Sequence, residues 1–356
     1  MAKYRAIEWI NARVPVEWDN LKHLSSEPIP RHLKSWWFCL GGTPLYLFFI
    51  LVTTGIALTF YYVPQADRAY DSVRHIAEVV PFGWYLRSIH VWAGHLMIVS
   101  VILHMMRVFF TGAYRKPREL NWVIGFGLLV VTLSFGFTGY SLQYSQVAYW
   151  AAVVGTNISE AVPFVGSYIA GFMRGGPAVG PNTLTRFYIF HIGVLPTLAF
   201  FLIAAHVFLI RAHGVTEFSR NGGEGGEDAT GEKGRFFPFF PDHILTEMII
   251  AVFLMFLLSQ LALIFPAALG EPADPAVTPE HIKPEWYFYP VFRWLKLFSF
   301  QVGLVSALLG VGVMVLWPWI DAGIEKKTPG LEISLYVGIA AVLLLTGLML
   351  WEGLAS

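Results

Sequence analysis

Residues 89–104, IHVWAGHLMIVSVILH, carry three histidines, at positions 90, 95 and 104, in a run otherwise apolar enough to lie in a lipid bilayer. An ionisable side chain inside a membrane span is costly and marks a functional site by default. At about 100° and 1.5 Å per residue, His90 and His104 share a face, offset by roughly 40° and separated by roughly 21 Å along the axis. His95 is turned away from His90 by roughly 140° and is expected to pack or hydrogen-bond against a neighbouring helix or subunit. Residues 190–206, FHIGVLPTLAFFLIAAH, repeat the pattern, with His191 and His206 offset by roughly 60° and roughly 22 Å apart in depth.

The composition around these runs is that of an integral membrane protein: of 356 residues, 56% are hydrophobic and 13% charged. Lys plus Arg equals Asp plus Glu, 24 each, so no basic excess points to nucleic acid. The opening MAKYRAIEWINARV lacks the apolar core and cleavage site of a secretory signal, and the chain is expected to start at its mature start. The lone cysteine, Cys39, excludes a disulfide framework within the chain and any paired-cysteine zinc or iron–sulfur site.

Apolar runs long enough to cross roughly 30 Å of hydrocarbon lie near 36–62, 84–110, 122–142, 184–210, 244–266, 300–320 and 333–352. Ahead of them, 4–22 reads as an amphipathic helix lying on the membrane, within an N-terminal segment 1–33. Arg107, Arg115, Lys116 and Arg118 follow the second span, Arg211, Arg220, Lys233 and Arg235 the fourth, and Lys326 and Lys327 the sixth. These loops and the N-terminus are therefore expected to be cytoplasmic, with the C-terminus on the outer side. The long loop 143–183 contains amphipathic pieces, which implies that it folds onto the membrane surface. The Gly/Glu-rich residues 221–234, NGGEGGEDATGEKG, read as a flexible linker. The expected organisation is all-α: a four-helix bundle (34–220), a linker (221–235) and a three-helix part (236–356), with no repeat between the two parts.

Spans two and four run in the same direction, so His90 is level with His191 on the outer side and His104 with His206 on the cytoplasmic side. Two level pairs of imidazoles describe two bis-histidine haems stacked through a four-helix bundle, because a planar macrocycle needs an axial ligand from each face. The other two helices offer Gly41 and Gly55, and Gly125 and Gly139, again fourteen apart, where a haem can approach the backbone. Membrane helices also use glycine for ordinary packing. Arg87 and Arg107 stand near the ends of the second span, placed either to meet haem propionates or to snorkel to the interface.

Beyond these residues the chain resembles cytochrome b of the quinol:cytochrome c (bc-type) and plastoquinol (b6f-type) complexes over nearly its whole length. Residues 31–218 resemble the b6 branch through CLGG, TGIALTFYY, RSIHVWAGH, ILHMMRVFFTGAYRKPRELNWV, FGFTGYSL and TLTRFYIFH. Residues 236–356 resemble its subunit IV partner through GEPADPAVTPE and PEWYFYPVFRWLK. The two halves are fused here, as in a bacterial form with seven spans, one short of the eight typical of the mitochondrial protein.

The resemblance implies a subunit in the bacterial cytoplasmic membrane, in a homodimeric complex with a Rieske iron–sulfur protein and a c-type cytochrome. Membrane quinol would be oxidised on the outer side and quinone reduced on the cytoplasmic side, contributing to the proton-motive force. PEWY, Pro284 to Tyr287, matches the quinol-oxidation motif, with Glu285 as proton acceptor. A carboxylate beside an apolar pocket has its pKa raised, which suits that task. Tyr140 and Phe137 match aromatic positions lining the pocket. Gln143 and Tyr144 stand where the family usually has proline and tryptophan, which leaves pocket shape and quinone choice open. Cys39 matches a cysteine of the b6 branch that carries a third, covalently attached c-type haem, with Arg211 matching an arginine that pairs with its propionate. A buried free cysteine is the plainer reading. Glu247 is a candidate proton donor to quinone on the inner side, or an ordinary interfacial acid. A di-haem membrane anchor of a dehydrogenase or hydrogenase and a proton-relaying transporter are the rival readings; PEWY and the three additional spans count against the anchor.

Overall fold

The computed structural model describes residues 28–30, 39–214, 236–280 and 282–355. The expected surface helix at 4–22 and the Gly/Glu-rich linker lie outside these residues. After strand β1 (Pro28–Pro30) and a 3-10 turn at Cys39–Gly41 come helices α1 (Gly42–Thr59), α2 (Ala69–Glu78), α3 (Gly83–Phe110) and α4 (Glu119–Leu142). Next are α5 (Gln146–Glu160), α6 (Gly166–Arg174), α7 (Pro181–Ile189) and α8 (Leu195–His213). Strand β2 (Phe236–Pro238) leads to α9 (Ile244–Ile264), α10 (Tyr289–Leu297), α11 (Phe300–Lys327) and α12 (Ile333–Leu354). Among the described residues seven helices are long and apolar enough to cross a membrane, with α7 and α8 counted as one span, Pro181–His213.

Each of the seven spans corresponds to one expected from hydropathy, with shifted ends. The first begins at Gly42, so Gly41 falls in the 3-10 turn ahead of the helix and is exposed. The sixth runs on to Lys327 because Asp321, where an apolar count stops, is only 1% exposed and finds partners inside the protein. The loop 143–183 is folded, as its amphipathic pieces suggested, into α5 and α6.

The chain divides into two compact units. In the smaller, the described residues within 1–42 and 217–255, β1 pairs antiparallel with β2 with Ile29 opposite Phe237. The larger takes in the described residues within 43–216 and 256–356. Its bundle of α1, α3, α4 and α8 is filled at mid-depth by Phe48, Val131, Leu195 and Ala199, with Met97 packed against them. Met97 stands seven positions from both His90 and His104, and Ala199 lies at a similar remove from His191 and His206, roughly 10 Å in each case, so an apolar layer separates the two histidine levels. Leu47, Ile89 and Ala93 close against Leu258 and Ala262 of α9. Large apolar side chains such as Phe49, Phe200 and Phe201 are exposed, as lipid-facing positions require.

The span formed by α7 and α8 is not uniform. Pro196 near the start of α8 cannot donate to the carbonyl four residues back, and its ring crowds that position. The chain widens into a π-turn over Phe190–Val194 at that point. A π-turn takes up one additional residue without additional rotation. The fifteen-residue interval from His191 to His206 therefore behaves nearly as the fourteen-residue interval of α3, which brings the two pairs into register.

Candidate functional site

The structure brings the four histidines together in two pairs. The rings of His90 (α3) and His191 (the π-turn) have centroids 6.3 Å apart at an interplanar angle of 69°. Those of His104 (α3) and His206 (α8) are 6.4 Å apart at 73°. Two imidazoles bound from opposite sides to one metal ion at about 2.0–2.1 Å have centroids roughly 6.3 Å apart, once a ring radius of about 1.1 Å is added on each side. Both gaps fit that requirement.

The surroundings fit as well. Thr54 Oγ1 lies 2.8 Å from Nδ1 of His90, and Thr138 Oγ1 lies 3.1 Å from Nδ1 of His191. Each threonine orients its ring through one nitrogen and leaves Nε2 for a ligand, the usual arrangement behind a metal-binding histidine. Nδ1 of His104 and of His206 is buried without a hydrogen bond of good geometry, and the Asn121 backbone is the polar group facing His206. Three of the four glycines stand against these rings. A Cβ on Gly55 would lie 3.3 Å from Cε1 of His90, on Gly125 3.4 Å from Cε1 of His206, and on Gly139 2.5 Å from Cε1 of His191.

Glu285 caps a 3-10 turn, Trp286–Phe288, closed by Phe288 N donating to Glu285 O at 2.8 Å. Burial pushes the Glu285 carboxyl above the ordinary carboxylate range. Burial, together with the nearby Glu285 and Tyr140, pushes the Tyr287 hydroxyl up as well. Tyr287 fits against the bare backbone of Gly136, where an added Cβ would meet its hydroxyl at 2.7 Å. Phe137 lies edge-on to Phe187 at 5.4 Å and to Phe288 at 6.4 Å. The structure thus gathers Glu285, Tyr287, Tyr140 and Phe137 into one aromatic, partly buried region.

Three sequence positions have partners that spacing did not reveal. Arg87 is buried and donates to the carbonyls of Ala267 and Ala268 at 2.6 and 2.9 Å, with Gln143 Oε1 at 3.4 Å. Its guanidinium thereby holds the segment after α9. Tyr144 adopts a left-handed backbone, φ 50°, and its carbonyl accepts from Ala273 N at 3.2 Å. Gln143 and Tyr144 are therefore docking points for the 267–280 loop. His95 accepts a hydrogen bond at Nδ1 from the indole of Trp286 at 3.0 Å.

Arg107 follows His104 within one turn, in the last turn of α3, and Arg211 is exposed in the last turn of α8. In the smaller unit, Glu247 is buried in the first turn of α9, against the backbone of Gly42 and 3.8 Å from Nε2 of His243. The backbone of Cys39 lies in the 3-10 turn; its side chain is outside the described residues.

Comparison with known proteins gives a consistent picture. Residues 24–214 match the family model described as Cytochrome b/b6/petB, and residues 272–352 match Cytochrome b(C-terminal)/b6/petD. The chain is 39% identical over 328 residues to a cytochrome bc complex cytochrome b subunit of Chlorobaculum thiosulfatiphilum, covering 90% of this chain and 75% of that protein. It is 44% identical over 209 residues to cytochrome b6 of Synechococcus sp. (strain RCC307), covering 59% of this chain and 95% of that one. A solved structure titled Hyperthermophilic respiratory Complex III shares the fold, with a TM-score of 0.79 over 97% of both chains at 24% identity.

Proposed function

The chain belongs to the cytochrome b family of bc-type complexes, and we propose that it is the quinone-handling subunit of such a complex. In this reading membrane quinol is oxidised around Glu285 on the outer side, quinone is reduced on the cytoplasmic side, and the exchange contributes to the proton-motive force. Membership of the family implies b-type haems. His90 with His191 would hold the outer one and His104 with His206 the inner one; bound there, they supply one-electron transfer between the two sides. The observation that carries the assignment is the pair of matched ring separations, 6.3 and 6.4 Å.

The chain's own residues supply the rest. Thr54 and Thr138 hold two of the ligand rings in one orientation, and Gly55, Gly125 and Gly139 keep the backbone clear beside them. Glu285, with its affinity for a proton raised by burial, takes a proton from the quinol hydroxyl. Tyr140, Tyr287 and Phe137 provide the apolar walls against which a quinol ring can stack. Arg87 and Gln143 fix the loop that precedes PEWY. On the inner side Glu247 is assigned as a proton donor to quinone and Cys39 as the attachment point of a third haem, Arg211 matching the arginine that pairs with that haem's propionate in the b6 branch. Residues 34–220 form the b6-like part and 236–356 the subunit IV-like part. The electron acceptors are a Rieske protein and a c-type cytochrome in a homodimeric complex of a bacterial cytoplasmic membrane, with the N-terminus inside and the C-terminus outside.

The test is made on the purified complex. His90→Leu and His206→Leu should each remove one of two b-type components from the reduced-minus-oxidised spectrum, and Glu285→Gln should slow quinol oxidation with both retained. Unchanged turnover in Glu285→Gln would sink the assigned site, and a spectrum without haem would sink the whole reading. Haem staining on this chain in a denaturing gel decides Cys39.

A further inference from the structure

We propose that His95 is a positioning residue of the outer quinol site: its neutral imidazole accepts the indole N–H of Trp286 and so fixes the turn that carries Glu285 and Tyr287. This inference rests on the assignment of that site given above.

The geometry is specific. An indole has one donor and no acceptor, so the 3.0 Å bond from Trp286 Nε1 to His95 Nδ1 requires that nitrogen to be unprotonated and fixes the direction of the ring. His95 is wedged between two tryptophans. Trp92 lies edge-on to it at 5.6 Å and is itself anchored by Nε1 donating to Phe265 O at 2.8 Å. Trp286 lies at 6.3 Å, and the Tyr287 ring at 6.4 Å. Trp286 opens a turn of three residues with Glu285 as its cap and Tyr287 as its second member, so an indole held by His95 restrains the stretch of backbone from which both neighbours project. Tyr287 has little slack to absorb that rotation, because Gly136 lies directly against its ring.

His95 is also separate from the histidine pairs. It projects from α3 roughly 140° away from His90, towards the PEWY turn rather than into the bundle. Losing it leaves the indole N–H without its acceptor in partly buried, apolar surroundings, the costly half of breaking a hydrogen bond.

Quinol oxidation by the complete complex tests this with His95→Leu, His95→Asn, Trp286→Phe and the double variant His95→Leu/Trp286→Phe. Asparagine can present Oδ1 to the indole. His95→Leu and Trp286→Phe should each lower kcat/KM roughly three- to tenfold, and the double variant should be no worse than either single. His95→Asn should stay within about twofold of the parent, because the acceptor is restored. Haem spectra should be unchanged in all four. Additive losses in the double variant, or an asparagine variant as impaired as the leucine one, would overturn the proposal. If His95→Leu does not assemble, Trp286→Phe and His95→Asn decide: impaired and near-normal respectively supports it, and any other combination overturns it. Glu285→Gln in the same preparation separates the two levels. If it is normal, the site assignment falls and this inference with it; if it is impaired while His95→Leu is normal, only this inference falls.

Discussion

On the proposed ligation, Gly139→Ala should cost the protein the haem of the His90–His191 pair and leave that of the His104–His206 pair in place. An added Cβ would lie 2.5 Å from Cε1 of His191 and 3.2 Å from each of its ring nitrogens. Ordinary contact begins at 3.4 Å, so the ring must retreat by about 0.9 Å. A metal–nitrogen bond tolerates about 0.2 Å, so ligation cannot absorb the displacement. Nor can the ring simply tilt, since Thr138 Oγ1 holds Nδ1 at 3.1 Å and Phe135 stands edge-on at 5.5 Å. Forcing α4 and the π-turn apart instead overpacks the bundle at about 1–3 kcal/mol. Gly55→Ala and Gly125→Ala serve as internal controls, because their added carbons would stand at 3.3 and 3.4 Å, close to ordinary contact. The b-type haem per chain, measured as the pyridine haemochrome, should fall from two to about one in Gly139→Ala, with one b-type component left in a redox titration, and stay at two in the controls. Two unchanged components in Gly139→Ala, or an equal loss in Gly125→Ala, would refute the reasoning.

Three further outcomes are expected. Because burial raises the Glu285 carboxyl, the group stays protonated to higher pH than a free glutamate and cannot then accept from quinol. Quinol oxidation should therefore fall as pH drops through that raised pKa, and this acid limb should be absent from the residual activity of Glu285→Gln; a limb of the same position in the variant would assign it elsewhere. Asp321 is buried and accepts from Tyr114 at 3.0 Å, Arg115 at 2.9 Å and Ser334 at 2.8 Å. Asp321→Leu leaves the two hydroxyls short of a partner while Arg115 can turn to solvent, so thermal unfolding should show a loss of ~1–3 kcal/mol, with Asp321→Asn losing less. An unchanged melting temperature for the leucine variant contradicts the account. Glu352, 0% exposed, is held by Lys296 at 2.8 Å and Arg293 at 3.6 Å, tying α10 to α12. Glu352→Ala should leave two cations facing one another and make the α10 segment more open to protease cleavage than Lys296→Ala does, which limited proteolysis can compare.

Much of this molecule was legible in its sequence because the deciding signals are local. A membrane span is set by the length and apolarity of one continuous stretch, so all seven were recovered, missing chiefly at the start of the first, which begins at Gly42 rather than 36, and at the end of the sixth, where Asp321 interrupted an apolar count. The face and depth of His90 and His104 follow from helix geometry alone, and so did the separation of His95 from them. The interval of fifteen on the fourth span could not be read correctly in the same way. Its excess residue is absorbed by the π-turn at Phe190–Val194, a response to Pro196 that periodicity does not contain.

What only the tertiary structure decided concerns partners that are distant along the chain. Arg87 meets the Ala267 and Ala268 carbonyls some 180 residues on, where spacing allowed a propionate or the interface. Trp286 meets His95 across 191 residues, and Asp321 meets Tyr114 across 207. The glycines, equal in spacing, differ once packed: Gly139 presses on its histidine, Gly55 and Gly125 only touch theirs, and Gly41 is not in the helix. Helical periodicity places a side chain on a face and at a depth. Which atom it meets there depends on how neighbouring helices are rotated and how closely they approach, and that is fixed by the packing of the whole bundle.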